Sequence, residues 1–363
     1  MTNIKVLLLQ ERFVSYRIPI YNIIAEKFDF TLAYTKKDKD IDIETLPFKS
    51  KLLSFRSLKG FKYMNHFRKL CNNYDVVITL PHFRCINFCL VPFYWGRKYK
   101  TITWSIGVRA SYKRKYNIKE KMRFSDKLYE RVMKAADANI FYTKEPIEKW
   151  VKRGHDRNKF FVAHNTVEVL KTYKETNERD SILFVGTLYK EKGLDVLIRV
   201  YSDVYCKYKT NDFPSLDIIG EGNEKKEMEE LAKSLPASEK IHFHGAIFDE
   251  KVLSDFFGKA VICISPNQAG LSVLKSMGYG VPYATHVDAI TGGEILNISD
   301  RKNGFLYKSI NELKEIIEST YTNKNNLKKM GKSAHEYYFN HTTPQNMAQG
   351  VIDAIYFALN KNE

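Results

Sequence analysis

The 363-residue sequence predicts an α/β protein built from two doubly wound domains in tandem. Short apolar runs of strand length alternate with amphipathic helical patterns, and this alternation occurs twice, with a polar stretch at 168–180 between the halves. The charge changes across the same stretch. Residues 1–177 contain 36 Lys and Arg against 17 Asp and Glu, a net charge of +19, whereas residues 178–363 contain 22 against 25, a net charge of −3.

The first half contains five predicted strands and four predicted helices. The strands are apolar runs at 5–9, 30–34, 76–79, 100–104 and 138–141. The helices are amphipathic segments near 18–28, 63–73, 118–135 and 145–153. Strands that alternate with helices in this way form a parallel sheet with helices on both faces.

The second half repeats the pattern. Predicted strands lie at 181–185, 216–220, 241–244, 261–265 and 283–286, and predicted helices near 194–205, 223–234, 250–258, 271–280 and 344–359. Parallel sheets bind ligands outside the carboxyl ends of their strands. We therefore expect the functional site in a crevice shared by the two domains.

Composition excludes disorder and membrane-spanning classes. The chain is 44% hydrophobic and 13% aromatic, which is incompatible with a disordered chain. Its longest apolar run, residues 85–95, is about half the length that spans a bilayer. We expect no signal sequence, because the apolar core of the first ten residues is too short. The five cysteines have no metal-binding or disulfide spacing, which favours a reducing cytoplasm.

The segment 181–197, SILFVGTLYKEKGLDVL, is the strongest local pattern in the chain. An apolar strand is followed by Gly186, by Lys190 and Lys192, and then by Gly193 at the start of a helical pattern. A helix N-terminus beside lysines suits a phosphate. An ordinary strand-turn-helix with solvated lysines fits this segment equally well when it is taken alone.

Ordered motifs along the chain resemble one enzyme family. The second half contains FVGTLYKEKG at 184–193, IIGEG at 218–222, FHGAI at 243–247 and SPNQAGLSVLKSMGYGVP at 265–282. The first half contains YRIP at 16–19, ADANIFY at 136–142 and VAHNTV at 162–167. Together they resemble the GT-B glycosyltransferases of family four, also called glycosyl transferases group 1, in the bacterial surface-polysaccharide branch.

The resemblance implies a GT-B fold, in which two Rossmann-like domains face a central crevice. Residues 1–170 would form an acceptor- and membrane-facing domain, and residues 178–343 a nucleotide-sugar-binding domain. Residues 344–363 would form a C-terminal helix that packs back on the first domain. The implied activity is retaining transfer of a hexosyl or N-acetylhexosaminyl group from a nucleotide-sugar, expected to be UDP-linked, without a metal or other cofactor.

The resemblance also assigns the residues around the diphosphate. An arginine and a lysine of the family turn correspond to Thr187 and Lys192, beside Gly186, and Lys190 could compensate for the lost arginine charge. Lys192 is the implied catalytic residue that neutralises the leaving group. The alternative is that Lys192 is a solvated surface lysine.

Two family glutamates are replaced in this chain, by Asn267 and Lys275. Asparagine can still bond sugar hydroxyls, whereas lysine cannot accept a hydrogen bond from a ribose. These replacements leave open a catalytically silent protein that binds a glycan or partners an active transferase.

Three further assignments complete the implied site. Gly270, Leu271 and Ser272 start a helix whose amides would face the diphosphate, unless the glycine serves only the turn. Gly245 and Ile247 would lie beside the edge of the donor nucleobase. Glu294 would be a second catalytic residue that contacts the donor or orients the acceptor.

The basic first half predicts an anionic partner. Segments 56–69, 97–100 and 109–123 mix basic with aromatic and aliphatic residues, which suits the surface of an anionic membrane. A saccharide acceptor on a polyprenyl diphosphate would lie on the same surface, so we expect a peripheral protein at the cytoplasmic face of the cell membrane. Nucleic-acid binding is the alternative for the charge, but no nucleic-acid motif accompanies it.

Overall fold

The structure, a computed structural model, describes residues 4–108, 116–170 and 179–360. These residues form two compact units. Unit 1 contains residues 4–108, 117–165 and 344–360, and unit 2 contains residues 116, 166–170 and 179–343. Residues 171–178, within the polar stretch 168–180 between the predicted domains, and residues 109–115 of the third basic segment lie outside the described residues.

Unit 1 is built on a parallel sheet. Its strands are β1 (Lys5–Phe13), β2 (Asp29–Lys37), β3 (Lys49–Leu52), β4 (Arg56–Leu58), β5 (Phe61–Tyr63), β6 (Val76–Thr79), β7 (Lys100–Ser105), β8 (Ala138–Phe141) and β9 (Phe160–Val162). Its first helices are α1 (Ile18–Lys27), α2 (Phe67–Cys71), α3 (Ile86–Leu90), α4 (Phe124–Ala135) and α5 (Glu145–Val151). The strand order is β3-β2-β1-β6-β7-β8-β9, and β4 with β5 forms a separate antiparallel pair.

Unit 2 is built on a second parallel sheet, ordered β12-β11-β10-β13-β15-β17. Its strands are β10 (Ser181–Val185), β11 (Ser215–Ile219), β12 (Ile241–Phe243), β13 (Ala260–Ile264), β14 (Gln268–Ala269), β15 (Tyr283–His286), β16 (Ile290–Thr291) and β17 (Gly304–Tyr307). Its helices are α6 (Leu194–Tyr208), α7 (Lys225–Lys233), α8 (Glu250–Lys259), α9 (Leu271–Gly278), α10 (Ile310–Thr322) and α11 (Lys324–His341).

The last helix, α12 (Pro344–Ala358), packs within unit 1, against α1 and strands β7, β8 and β9. Its buried face includes Met347, Val351 and Ile355, which join the core around β1 and β6. Gly350 allows the close approach, because a β carbon there would lie 2.1 Å from the carbonyl oxygen of Val162. A larger residue would push α12 away from β9.

Apolar patterning predicts the central strands well because they are buried. Strands β6, β8, β10 and β15 have the predicted bounds, and each consists almost wholly of buried residues. The sequence pattern missed β3, β9, β17, α10 and α11. It is wrong over 63–73, where Tyr63 ends a strand and the helix spans only Phe67–Cys71.

The predicted helix at 118–135 begins later than expected, at Phe124. The Asp126 carboxylate accepts a hydrogen bond from the Arg123 backbone N–H at 2.7 Å and fixes the helix start there. Across the described ranges, every helix is too short or too polar to cross a bilayer.

Candidate functional site

The turn after β10 brings a lysine back over a glycine. Residues Lys190–Lys192 form a single 3-10 turn, and Gly193 follows at φ 68° as the N-cap of α6. The turn directs the Lys192 side chain towards Gly186, where a β carbon would lie 2.9 Å from Nζ. Gly186 is therefore required for the close approach of the ammonium to the backbone at the end of the strand.

The Lys192 ammonium is buried without a counter-charge. The residue is only 7% exposed, and among the described residues Nζ has no carboxylate within ion-pair distance and no hydrogen-bond acceptor. Burial lowers the pKa of Lys192 from its ordinary value to about 8. The Tyr189 ring lies 5.9 Å from Nζ and provides a weak cation–π contact. An anion that reached this ammonium would relieve the cost of burying it.

Asn267 is held directly beside this turn. Its backbone N–H donates to the Lys192 carbonyl oxygen at 3.2 Å, and its carbonyl oxygen accepts from the Ile290 N–H at 2.8 Å. A β carbon on Gly193 would overlap the Asn267 side chain amide, at 2.4 Å from Nδ2. The structure thus joins two predicted site residues, Lys192 and Asn267, through main-chain contacts.

Helix α9 starts at Leu271, four residues beyond Asn267. Gly270 is its N-cap, and no described atom lies within 4 Å of a β carbon built on this glycine. Leu271 and Ser272, in the first turn, are half-buried, and Ser272 Oγ lies 2.9 Å from the Tyr283 hydroxyl. The N-terminus of this helix therefore has open space beside Gly270 that a ligand oxygen could occupy.

Lys275 is also on α9, but its ammonium is paired. Nζ contacts the Glu250 carboxylate on α8, and the lysine side chain is largely buried. Lys275 therefore links two helices of unit 2.

Glu294 is a buried carboxylate at the loop after β16. Its Oε2 accepts hydrogen bonds from the Gly292 N–H at 2.8 Å and from the Thr291 hydroxyl at 3.1 Å. Strand β16 pairs with β14, so this loop is joined to the segment that leads into α9. The carboxylate holds the Gly292–Glu294 turn through two hydrogen bonds.

The remaining predicted residues lie on exposed or half-buried loops. Thr187 and Lys190 are exposed in the turn after β10. Gly245 has φ 69°, its carbonyl oxygen accepts from the Gly220 N–H at 2.8 Å, and Ile247 is half-buried two residues later. These positions follow β10 and β12, at the carboxyl edge of the unit 2 sheet.

The sequence pattern did not single out two residues of this region, Tyr189 and Gln268. Tyr189 stacks near the Lys192 ammonium, and its hydroxyl donates to Gln268 Oε1 at 2.5 Å, which ties the lysine turn to β14. An aromatic residue inside a basic loop was the available signal. Within the described residues no cluster of three or more His, Cys, Asp or Glu could hold a metal ion.

Comparison with known families identifies the second half of the chain. Residues 168–337 match the family model described as glycosyl transferases group 1. This part of the chain is a glycosyl transferases group 1 domain. The match confirms the family that the sequence motifs indicate, and it contains Lys192, Asn267, Gly270 and Glu294.

Curated relatives match over part of their length. An uncharacterized glycosyltransferase of Haemophilus influenzae is 26% identical over 184 residues, which are 50% of each chain. An uncharacterized 41.2 kDa protein in the cps region of Klebsiella pneumoniae is 31% identical over 188 residues, 47% of this chain and 48% of that one. The chain thus aligns with about half the length of the curated relatives that it matches.

Solved structures match over nearly the whole chain. Anabaena Alr3699/HepE, solved in complex with UDP and glucose, has a TM-score of 0.71 at 12% identity and covers 97% of this chain and 99% of its own. The lipopolysaccharide outer core galactosyltransferase WaaB, in its apo form, has a TM-score of 0.69 at 15% identity with the same coverage. At such identities the likeness establishes the fold, which is the predicted GT-B fold.

Proposed function

We propose that the chain is a retaining glycosyltransferase that moves a sugar from a UDP-sugar to a lipid-linked saccharide in capsule, O-antigen or related surface-glycan synthesis. The single observation that carries the proposal is the buried, unmatched ammonium of Lys192 at the carboxyl edge of the unit 2 sheet. The group 1 domain supports the reaction class. The UDP bound by the Anabaena protein supports the donor, and the cps-region relative supports the pathway class.

In this proposal the donor diphosphate lies between Lys192 and the N-terminus of α9. The ammonium supplies positive charge, and the amides after Gly270 supply hydrogen bonds and the favourable end of the helix dipole. Asn267, tied to the Lys192 backbone, would bond the donor sugar, and Gly245 with Ile247 would face the nucleobase. Ser272 and Leu271 complete the first turn of the helix.

The bond changes need no protein base. The bond between the anomeric carbon and the β-phosphate oxygen breaks, and the acceptor hydroxyl oxygen bonds to that carbon on the same face. The acceptor proton passes to the leaving diphosphate, and no metal takes part. The protein positions the reactants and stabilises the charge on the departing diphosphate.

The charge available at this turn is smaller than in the family pattern. Thr187 stands at the expected arginine position, and its exposed hydroxyl supplies a hydrogen bond but no charge. Lys190 is exposed and can approach a bound diphosphate only at its solvent side. Most of the stabilisation therefore rests on Lys192, and its loss should be costly.

Glu294 is proposed to orient the donor or the acceptor through its buried carboxylate. The Gly292 N–H and Thr291 hydroxyl fix the position of one carboxylate oxygen. A carboxylate held in this way is ordered before a ligand binds. Its side chain therefore loses little conformational entropy when it accepts a hydrogen bond from a sugar hydroxyl.

The acceptor side of the proposal rests on an aromatic and basic surface of unit 1. Trp95 is 89% exposed, and Phe93 and Phe124 are also exposed. The turn that contains Phe93 packs on α4, the helix that begins at Phe124. Arg68 donates a hydrogen bond to the Trp95 carbonyl oxygen at 2.7 Å. We call Phe93, Trp95, Phe124 and Arg68 the aromatic patch. Such a mixture suits the interface of an anionic leaflet.

A peripheral position at the cytoplasmic face of the membrane follows from this proposal. A polyprenyl-diphosphate-linked saccharide would reach the protein there, with its diphosphate at the headgroup level. The excess of basic residues in the first half of the chain favours the same surface.

A catalytically silent GT-B protein is the second candidate, and one observation favours it. Lys275, at a family glutamate position, is engaged by Glu250 and cannot serve a ribose as an acceptor. Such a protein would bind a glycan or an active transferase and would release no nucleotide from a nucleotide-sugar.

Calorimetric titration with UDP and GDP tests donor binding in the intact chain. We expect UDP to bind more tightly than GDP, and Lys192→Met to weaken UDP binding by about tenfold or more, since a hydrogen bond to a charged group is lost. Lys226→Met is the matched control, because this exposed lysine lies on α7 of the same unit. Equal UDP affinity in wild type and Lys192→Met would contradict the proposed site.

A further inference from the structure

Unit 1 buries an arginine for which the described residues provide no carboxylate. Arg17 is 5% exposed and is the N-cap of α1. Its Nη2 donates to the Tyr142 hydroxyl at 2.7 Å and to Asn165 Oδ1 at 3.2 Å. Its Nη1 is buried and has no hydrogen-bond partner in the described part of the chain. Both acceptors are neutral, so the charge of the guanidinium is not balanced.

A second buried donor without an acceptor lies beside this arginine. The Arg17 Cζ is 5.1 Å from the centre of the Trp104 ring, and Trp104 is 1% exposed. The indole Nε1 of the same ring also lacks a hydrogen-bond partner among the described residues. Most buried donors in proteins are paired, and each one left unpaired costs stability. Two unpaired buried donors on neighbouring side chains indicate that this place suits an acceptor group.

The position of this pair in the fold is that of a ligand site. Trp104 lies near the end of β7, Tyr142 directly follows β8, and Asn165 follows β9. These are the carboxyl ends of three neighbouring parallel strands, where such sheets bind ligands. The N-terminus of the ten-residue helix α1 begins at Arg17 and favours negative charge at the same place.

We propose that Arg17 and Trp104 form a binding site for a singly charged oxyanion, a carboxylate or a phosphodiester group. The guanidinium fork and the indole N–H offer donors to two oxygens of one ligand. One buried positive charge neutralises one negative charge, whereas a phosphomonoester dianion would leave an uncompensated charge in a buried place. The site is in unit 1, is distinct from the Lys192 turn of unit 2, and does not depend on the proposed transferase activity.

Thermal unfolding of the full chain in matched salts tests this site. The probes are sodium glucuronate for the carboxylate and sodium dimethyl phosphate for the phosphodiester, each compared with sodium chloride at equal ionic strength. We expect at least one probe to raise the Tm of wild type and of Lys192→Met, and the probe with the larger effect identifies the ligand group.

Variants of the two donors make the test specific. Arg17→Met should abolish the Tm increase, and Trp104→Phe, which keeps a ring but removes the N–H, should weaken the apparent affinity by about tenfold. Trp95→Phe is the matched control, since this exposed indole lies in the same unit, and it should retain the full effect.

Three outcomes would overturn the proposal. The first is that neither oxyanion stabilises wild type more than chloride does. The second is that the stabilisation persists unchanged in Trp104→Phe and Arg17→Met. The third is that it disappears in Lys192→Met, which would assign the anion to unit 2. If Arg17→Met fails to fold, Trp104→Phe decides the test, because its ring still fills the core.

Discussion

The ammonium of Lys192 lies against Gly186, so closely that a methyl group on this glycine would stand 2.9 Å from Nζ. This contact joins the end of a buried strand to a charge that the described residues leave unbalanced. The absence of a side chain at Gly186 therefore makes room for the charge of Lys192.

Gly186→Ala should weaken UDP binding by about tenfold, because the new methyl group displaces the Lys192 ammonium from its position. Calorimetric titration of the variant with UDP measures the effect. Gly154→Ala is the control: its φ of 82° is also positive, so alanine is strained there too, but no described atom lies within 4 Å of the new β carbon. UDP affinity equal to that of the control would show that the contact is unimportant.

The stability of the nucleotide-free protein should rise with pH relative to Lys192→Met. Burial lowers the folded-state pKa of Lys192 to about 8, below its unfolded value, so the unfolded chain binds more protons between the two values. The free-energy cost of burying the charged ammonium is fully present below pH 8. It decreases as the pH rises from 8 towards the pKa of this lysine in the unfolded chain. Urea unfolding of wild type and variant at pH 7 and 9.5 should show a relative gain of about 2 kcal/mol. A constant difference between the two proteins would contradict the buried-ammonium interpretation.

Lys275 and Glu250 should be energetically coupled. Removing one partner leaves a partly buried charge or acceptor without its hydrogen bond, so each single variant, Lys275→Met or Glu250→Gln, should lose about 1–3 kcal/mol of stability. The double variant should lose less than the sum, as a double-mutant cycle by urea denaturation would measure. Additive losses would mean that the two side chains act independently.

The aromatic patch should control binding to anionic vesicles. The double substitution Trp95→Ser and Phe124→Ser removes two exposed rings and should reduce flotation with anionic liposomes by more than tenfold. Phe248→Ser is the matched control, since this residue of unit 2 is as exposed as Trp95. Wild-type binding should also fall with added salt. Strong binding to DNA or RNA in an electrophoretic shift, with no liposome binding, would favour the nucleic-acid alternative.

The sequence predicts the parts of the fold that depend on local pattern. The bounds of β10 follow from an apolar run that ends at a glycine, and the group 1 motifs lie on the loops after the predicted strands. The edge strands β3, β9 and β17 are short, and some of their residues are partly exposed, so hydrophobic periodicity gives little signal there.

The electrostatics of the site depend on contacts between distant residues. The Lys192 motif indicates a basic loop, but its burial results from the path of the 3-10 turn over Gly186. Lys275 meets Glu250 because α8 and α9 are neighbours, and Arg17 meets Trp104 because β1, β6 and β7 are consecutive in the sheet. Pairings of this kind follow from strand order and helix packing, which residue patterns along the chain do not specify.

The most direct test of the proposed function is release of nucleotide diphosphate from a panel of nucleotide-sugars by the purified full chain. Wild type should release UDP from at least one UDP-sugar, and Lys192→Ala should lower turnover about a hundredfold or more, because a donor to the developing charge on the leaving group is lost. Lys226→Ala should leave turnover unchanged. Turnover of Lys192→Ala close to that of wild type, or no nucleotide release by wild type from any nucleotide-sugar of the panel, would contradict the account.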